Sequence, residues 1–550
     1  ATRQAREAFL SLGLNESDEE DLAALEARLV KDDALAAVGD ARSRLAGQAA
    51  RLYEAIFEYT GTYYPGINAA TMWLLSGDRA RTEDLARRVR TICHETPGEG
   101  GDAYYQAATE AEACLLLGDT DGAGAAITRA AASHGDDFAA VATTRRQLRL
   151  VCALNDLDAS VLDGLVTASV ATFCGHIISA AGKAGRLPAD AEPSVRARIG
   201  DLLDGHDVGY GYGSLAAGAD ILFAEALLAR GAEVHIVMPF NLDEFKRVSV
   251  AGSGDGWLDR FDQTLARASS VTYATEDFYL GDDILFAYAA RTAMGMALLR
   301  ARHLETDVMQ LAVWDGEPAA GEAGTAADID TWKEIGGTTH IISSTGGTGP
   351  ETQGTGRPAR ARAESGDDRP REARAMLFGD IKGFSKLLDH QVPVFFDVIM
   401  GCIAEVLDRF GDAVMVSNTW GDGLYVVLRD PQAAADCALS LHEALAAVDL
   451  EQAGLPPHLS LRIGAHAGPV FRGYDPVLKA TMFCGAHVTR TARLEPVTPE
   501  GQVYVTEQLA AMLMLAREPD YVCDYVGRIP SAKGYGSMRM YLLRRKQTKS

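Results

Sequence analysis

Apolar positions follow three different rhythms along the 550 residues. From residue 1 to about 160, Ala- and Leu-rich stretches recur at helical spacing and stop at Gly77-Asp78, Thr96-Pro97-Gly98 and Gly118-Asp119. That period predicts helices throughout. Between about 164 and 345, compact apolar runs at Val166–Phe173, Glu233–Phe240, Val271–Tyr273 and Met309–Trp314 predict strands, with helical patterns between them. Residues 346–371 are Gly, Pro, Thr, Arg and acid with almost no apolar position, which predicts a disordered linker. Residues 372–545 return to short strands, turns and helices.

The chemistry concentrates in this last region. Ala375–Phe378 reads as a buried strand that ends on Gly379-Asp380. A carboxylate there is costly unless something cationic meets it. Ile381–Ser385 follows as a tight turn opening into a helix, whose free N–H groups can hold phosphate oxygens. An Asp that merely caps a helix would give the same pattern. The second piece is Asp412–Asp430, two apolar strands around Gly421-Asp422-Gly423. A hairpin turn needs the glycine but not the Asp. Two Asp residues on turns of adjacent strands can share divalent cations about 3.5–4 Å apart, the arrangement that serves phosphoryl transfer. Leu461–Val470 adds a strand with Arg462, and Phe483–Leu494 adds a glycine turn and a helix with Arg490 and Arg493.

In order and spacing, GDIKGFS, NTWGDG, LRIGAHAG, CGAHVTRTARLE and AKGYGSMRMYLL resemble the class III nucleotidyl cyclase catalytic domain over roughly 372–545. The resemblance implies an α+β ferredoxin-like fold. It also implies attack of a ribose 3′-oxygen on the α-phosphate of a nucleoside triphosphate, giving a 3′,5′-cyclic nucleotide and pyrophosphate. Asp380 and Asp422, with the Ile381 carbonyl, match the ligands of two Mg²⁺ or Mn²⁺ ions. Lys382, Gly383, Phe384 and Ser385 fall on the phosphate-side turn, and Arg462 matches a triphosphate-binding arginine. Arg493 matches the arginine that stabilises charge on the α-phosphate, while Arg490 reads as a surface residue. In the family, the aspartates and the Arg462-type residue belong to one domain and the Arg493-type residue to its partner. A homodimer is therefore expected.

Four positions depart from the family pattern. Asn418 and Met482 stand at the two base-reading positions, Thr489 replaces a ribose-orienting asparagine, and Tyr535 replaces a triphosphate lysine. Lys533 would share a face with Tyr535 on a regular strand. Base choice stays open. ATP is the first expectation; a pyrimidine nucleotide, as in cyclases used for antiphage signalling, is an alternative, and so is a catalytically weak nucleotide-binding scaffold.

Upstream, alternating strands and helices predict a Rossmann-like parallel sheet. The glycine-rich VGYGYGS loop before Asp220-Ile221 and the later Gly324-Thr325 make it similar to SLOG-type nucleotide-sensing domains. Gly211, Gly213, Ser214, Gly324 and Thr325 are its candidate phosphate-side contacts, with His176 nearby. Tyr104–Ala131 has the style of a tetratricopeptide-like repeat, which implies a protein partner for the helical region, residues 1–160.

Composition narrows the setting. A net charge of −24 argues against nucleic acid as the main partner. The eight cysteines lack C-x-x-C spacing, as expected for reduced thiols in a cytoplasm without a zinc site. No uncharged apolar run reaches about 18 residues, so no membrane span is expected, and the first residues lack a signal-peptide core.

Overall fold

The breaks in the helical rhythm become helix caps. Gly77 takes φ 95° to end one helix, and the Asp119 carboxylate accepts the Gly122 N–H to start another. The computed structural model describes residues 9, 20–95, 98, 101–135, 137–281, 283–318, 321, 323–344, 371–516, 520–534 and 536–546. They fall into two compact units, one from 1–168 with 302–306 and one from 169–301 with 307–550.

In the first unit, seven helices among the described residues pack in sequence: α1 (Glu20–Ala36), α2 (Gly39–Thr60), α3 (Tyr63–Ser76), α4 (Arg79–Glu95), α5 (Gly101–Leu116), α6 (Thr120–Ser133) and α7 (Phe138–Leu154). Their core is Tyr53, Phe57, Met72, Leu85, Leu115, Ile127 and Val151. A polar network crosses it. Lys31 Nζ donates to Asn68 Oδ1 at 2.7 Å and to Gln147 Oε1 at 3.3 Å. Gln147 Nε2 and Thr71 Oγ1 then donate to Glu112 Oε1 at 2.7 and 2.6 Å. Burial pushes Lys31 down and Glu112 up, so the Gln147 amide joins two groups that each resist charging alone.

The second unit contains two sheets. The first has β1 (Ser169–Gly175), β2 (Val208–Gly213), β3 (Glu233–Met238), β4 (Ser270–Tyr273), β5 (Val308–Trp314) and β6 (Thr338–Ser343). Every neighbouring pair is parallel, in the order β4-β3-β2-β1-β5-β6. Its helices are α8 (Glu192–Asp204), α9 (Ala219–Ala229), α10 (Leu242–Ser249), α11 (Trp257–Arg267), α12 (Ile284–Leu304) and α13 (Thr325–Glu334). The VGYGYG stretch, read from the sequence as a loop, is strand β2. Gly211 and Gly213 are packing glycines: a Cβ would lie 2.5 Å from Leu227 Cδ1 at the first and 2.4 Å from the Phe173 ring at the second. Neither has room for a side chain.

The second sheet begins at Arg371, a buried strand residue rather than the end of the linker. The rest of the expected linker lies outside the described residues. The elements are β7 (Arg371–Lys382), α14 (Gln391–Phe395), α15 (Gly401–Phe410), β8 (Val414–Trp420), β9 (Gly423–Leu428), α16 (Pro431–Ala446), β10 (Ser460–Asp475), β11 (Ala480–Cys484), α17 (Ala486–Thr491), β12 (Val503–Thr506), α18 (Glu507–Met514), β13 (Tyr521–Pro530) and β14 (Ser537–Arg545). The order is β13-β14-β12-β10-β7-β9-β8, with β11 folded back on β10.

Helix α12 is long and apolar enough to cross a membrane by length and composition, and 61% of its apolar window is buried inside the fold. It is apolar on several sides because it touches both sheets. Tyr288 Oη donates to the Ala467 carbonyl on β10 at 2.8 Å, and a Cβ at Gly295 would lie 2.1 Å from the Ala511 carbonyl on α18.

Candidate active site

Strand register builds the site. Asp380 on β7 lies opposite Gly423 on β9 and Arg462 on β10. Two residues earlier, Phe378 lies opposite Tyr425, which lies opposite Asn418 on β8. Side chains alternate along a strand, so Phe378, Asp380, Arg462, Tyr425 and Asn418 share one face. Gly421, at φ 65°, makes the turn that sets Asp422 beside Gly423 and hence beside Asp380.

Arg462 organises the charges. Its Nη2 is 2.8 Å from Asp380 Oδ2, and its Nε is 2.6 Å from Glu495 Oε1. The second contact is a charge contact, because the Nε–H does not point at the oxygen. Burial pushes the Asp422 carboxyl up, and Asp380 pushes it further. Burial also lifts Glu495 to about 7 against the pull of Arg462, with Asp380 and Asp422 adding to the rise. Two hard carboxylates set side by side suit a divalent cation, which would favour the charged form of Asp422. The Ile381 side chain is buried on the opposite face of β7.

Residues 368–545 match the family model described as the adenylate and guanylate cyclase catalytic domain. The C-terminal region is a class III cyclase catalytic domain. Residues 1–73 match the model for Tetratricopeptide Repeats-Sensor. A 186-residue stretch is 30% identical to the receptor-type guanylate cyclase gcy-8 of Caenorhabditis elegans, covering 30% of this chain and 15% of that protein. The chain thus spans a small part of that relative. Among solved structures, the adenylyl cyclase CyaB from P. aeruginosa aligns at 15% identity and TM-score 0.30, over 33% of this chain and 99% of that one. The guanylate cyclase domain of RhGC from Catenaria anguillulae, in complex with GTP, aligns at 20% and 0.28, over 32% and 98%.

Elsewhere in the cyclase domain the structure refines the expected phosphate turn. Strand β7 runs through Lys382, which pairs with Glu500. Gly383 turns at φ 98° into a single 3-10 turn, Phe384–Lys386, and the helix starts only at Gln391. The free N–H groups there belong to a turn rather than to a helix start. The Phe384 ring packs 4.7 Å from Phe395, while Ser385 is exposed.

Asn418 Oδ1 accepts the Thr419 N–H at 2.8 Å, and Met482 is half-buried on β11 opposite Gly473. Thr489 is exposed on α17, and Arg493 lies just beyond that helix. Among the described residues, no ion pair or side-chain hydrogen bond joins Arg493 to the Asp380–Asp422–Arg462 group. Lys533 lies in a 3-10 turn, Ala532–Gly534, so it has no strand face to share; Tyr535 lies outside the described residues.

Two neighbours went unread in the sequence. Glu495 stands two residues after Arg493, and the R-L-E spacing was the available signal. Trp420 is 60% exposed at the rim, and its ring is parallel within 21° to Tyr425, which leans on Phe378 at 4.7 Å.

In the parallel sheet, polar residues gather beyond the ends of β1 and β5. His176 Nε2 is 3.0 Å from Asp315 Oδ1, and Arg186 grips Asp315 with two contacts of 2.6 Å. Thr325 Oγ1, after Gly324 at φ 113°, is 3.4 Å from His176 Nδ1. Ser214 is half-buried just past β2. Burial raises Asp220 to about 7; burial and Asp220 raise Asp328 to about 8.

Proposed function

We propose that the protein is a nucleotidyl cyclase whose site forms between two copies of the chain. The observation that carries this reading is Asp380 beside Asp422 with Arg462 between Asp380 and Glu495, on one sheet face of a cyclase-family domain. Asp380, Asp422 and the Ile381 carbonyl would hold two Mg²⁺ or Mn²⁺ ions, which supply Lewis acidity at the ribose 3′-oxygen and neutralise triphosphate charge. Arg462 turns its planar fork to the triphosphate oxygens, with the Lys382–Ser385 turn beside it. Thr489 faces the ribose. Arg493 of the second copy donates to the α-phosphate oxygens as negative charge builds in the transition state.

ATP is the first substrate choice. Asn418, with its oxygen engaged by Thr419, offers Nδ2 donors to a base acceptor, and Met482 packs against the ring. A donor of that kind also accepts a pyrimidine carbonyl as its partner, which keeps pyrimidine triphosphates as the second reading. Upstream, the parallel sheet is read as a Rossmann-like sensor with its ligand near Ser214, Gly324, Thr325 and His176, and the helical repeats as a partner-binding surface. All eight cysteines are free thiols, which supports a cytoplasmic setting.

The test is incubation of the purified protein with each of the four ribonucleoside triphosphates and Mn²⁺, with products identified by mass. A 3′,5′-cyclic nucleotide from at least one is expected. Finding no 3′,5′-cyclic nucleotide with any of the four would sink the reading.

A further inference from the structure

Helix α12 follows β4 of the parallel sheet in the chain and packs Leu285 into that sheet's core, yet it also makes buried contacts with the cyclase domain. Tyr288, 4% exposed, donates its hydroxyl to Ala467 on β10 and sets the edge of its ring against His487 of α17, at 5.8 Å and 71°. On its other side His487 stacks on His466 of β10, at 5.0 Å and 12°, with His466 Nε2 and His487 Nδ1 2.7 Å apart. The space under His487 is the missing side chain of Gly468, where a Cβ would fall 2.2 Å from Nδ1. His487 of α17 is therefore held between a cyclase strand and a residue of helix α12.

The contacts close on themselves. His466 Nδ1 lies 2.7 Å from Thr506 Oγ1, and that oxygen also accepts the Leu509 N–H at 3.3 Å as the N-cap of α18. Helix α18 carries Ala511, against which Gly295 of α12 sits without room for a methyl group. From Tyr288 the path runs through His487, His466, Thr506 and α18 back to α12, two turns further along. Moving α12 along or away from the cyclase sheet would shift both ends of this ring. Next on α17, Thr491 Oγ1 bonds the His487 carbonyl at 2.8 Å, so the helix that leads to Arg493 turns with His487.

We propose that α12 is a positioning element of the cyclase site, with Tyr288 as its positioning residue: it fixes α17 and so the placement of Thr489 and Arg493. This rests on the reading of Arg493 as the residue facing the α-phosphate. It makes the parallel sheet part of the machinery that places one half of the site, while Asp380 and Asp422 are set by β7 and the β8–β9 turn.

The experiment uses the full chain with Tyr288→Phe, which keeps the ring and removes only the hydroxyl. Two readouts are taken: amide hydrogen exchange across Ala486–Thr491, and kcat, KM and the divalent-cation midpoint of cyclisation. Loss of one buried hydrogen bond should speed exchange in α17 roughly three- to tenfold relative to β7 and β9, and lower kcat by a similar factor. The cation midpoint should stay put. Gly295→Ala, which pushes α12 off α18, should act in the same direction and more strongly. Unchanged exchange in α17, or exchange rising equally across the whole cyclase domain, would overturn the proposal. So would a kcat loss matched by an equal shift of the cation midpoint. A parent protein that makes no cyclic nucleotide would count against the cyclase reading alone, because the exchange comparison decides the positioning role by itself.

Discussion

Arg462 Nη2 stands 2.8 Å from Asp380 Oδ2, so without a cation the guanidinium supplies the positive charge beside the carboxylates. Removing it leaves Asp380, Asp422 and Glu495 facing one another. Arg462→Gln should lower the melting temperature of the cyclase domain in EDTA by about 2–4 °C, for a loss of about 1 kcal/mol. Added Mg²⁺ or Mn²⁺ should recover most of it, while KM for the triphosphate rises. A melting temperature unaffected by both the substitution and the cation would show that Arg462 does not balance these charges.

Asp380→Ala and Arg493→Ala are each expected to reduce turnover by at least about a hundredfold, since each removes several kcal/mol of transition-state stabilisation. Mixed together, the two inactive proteins should regain activity. One composite site in a mixed dimer carries neither substitution. Mixed dimers that form and stay inactive would mean that the site is built within one chain or that a different partner completes it.

The stacked pair His466 and His487 makes the domain acid-sensitive. Burial lowers both rings' proton affinity, His487 to about 3, so the folded state holds them neutral. The unfolded chain takes up protons below about pH 6.5. This part of the stability is present above that pH and is lost progressively as pH falls towards 3, by up to about 1.4 kcal/mol per pH unit for each ring. Denaturant midpoints measured at pH 7.5 and pH 5 should fall more in the parent than in His487→Gln. Equal falls would remove the pair as the cause.

The carboxyls beyond β1 and β5 carry the opposite sign. Asp220 and Asp328 are raised in the fold to about 7 and about 8, chiefly by burial. Their contribution is full below about pH 4 and is lost as pH rises through those values. Asp328→Asn should therefore stabilise the parallel sheet relative to the parent, and by more at pH 8.5 than at pH 5. The melting difference between variant and parent at the two pH values checks it; a larger gain at pH 5 would reverse the assignment.

What could be read from the sequence was local. Asp422 interrupts two apolar strands at glycines and sits on the turn the sequence predicts, whereas Asp380 lies inside β7 rather than on a turn, because the strand runs on to Lys382. Glu495 escaped because its role depends on Arg462 of β10 meeting the turn after α17, a tertiary fact with no periodic signature. Gly211 and Gly213 misled because glycine serves a loop and a close strand contact equally well; only the Leu227 and Phe173 side chains decide between them. The delayed start of the helix after Ser385 has a similar origin: Gly383 is a turn residue in either arrangement, and the one that forms sets Phe384 against Phe395.

Gly295 also bears on how this chain could be taken apart. Residues 346–370 invite a cut that would release the cyclase domain as a cassette for fusion to other input modules. Such a fragment leaves α12 behind. The Ala467 carbonyl and the His487 ring edge would then meet water, and the backbone at Ala511 would be uncovered as an open slot. A released fragment would be expected to self-associate through that slot and turn over poorly, whereas a cut placed ahead of β1 keeps the helix with the surface it was shaped for.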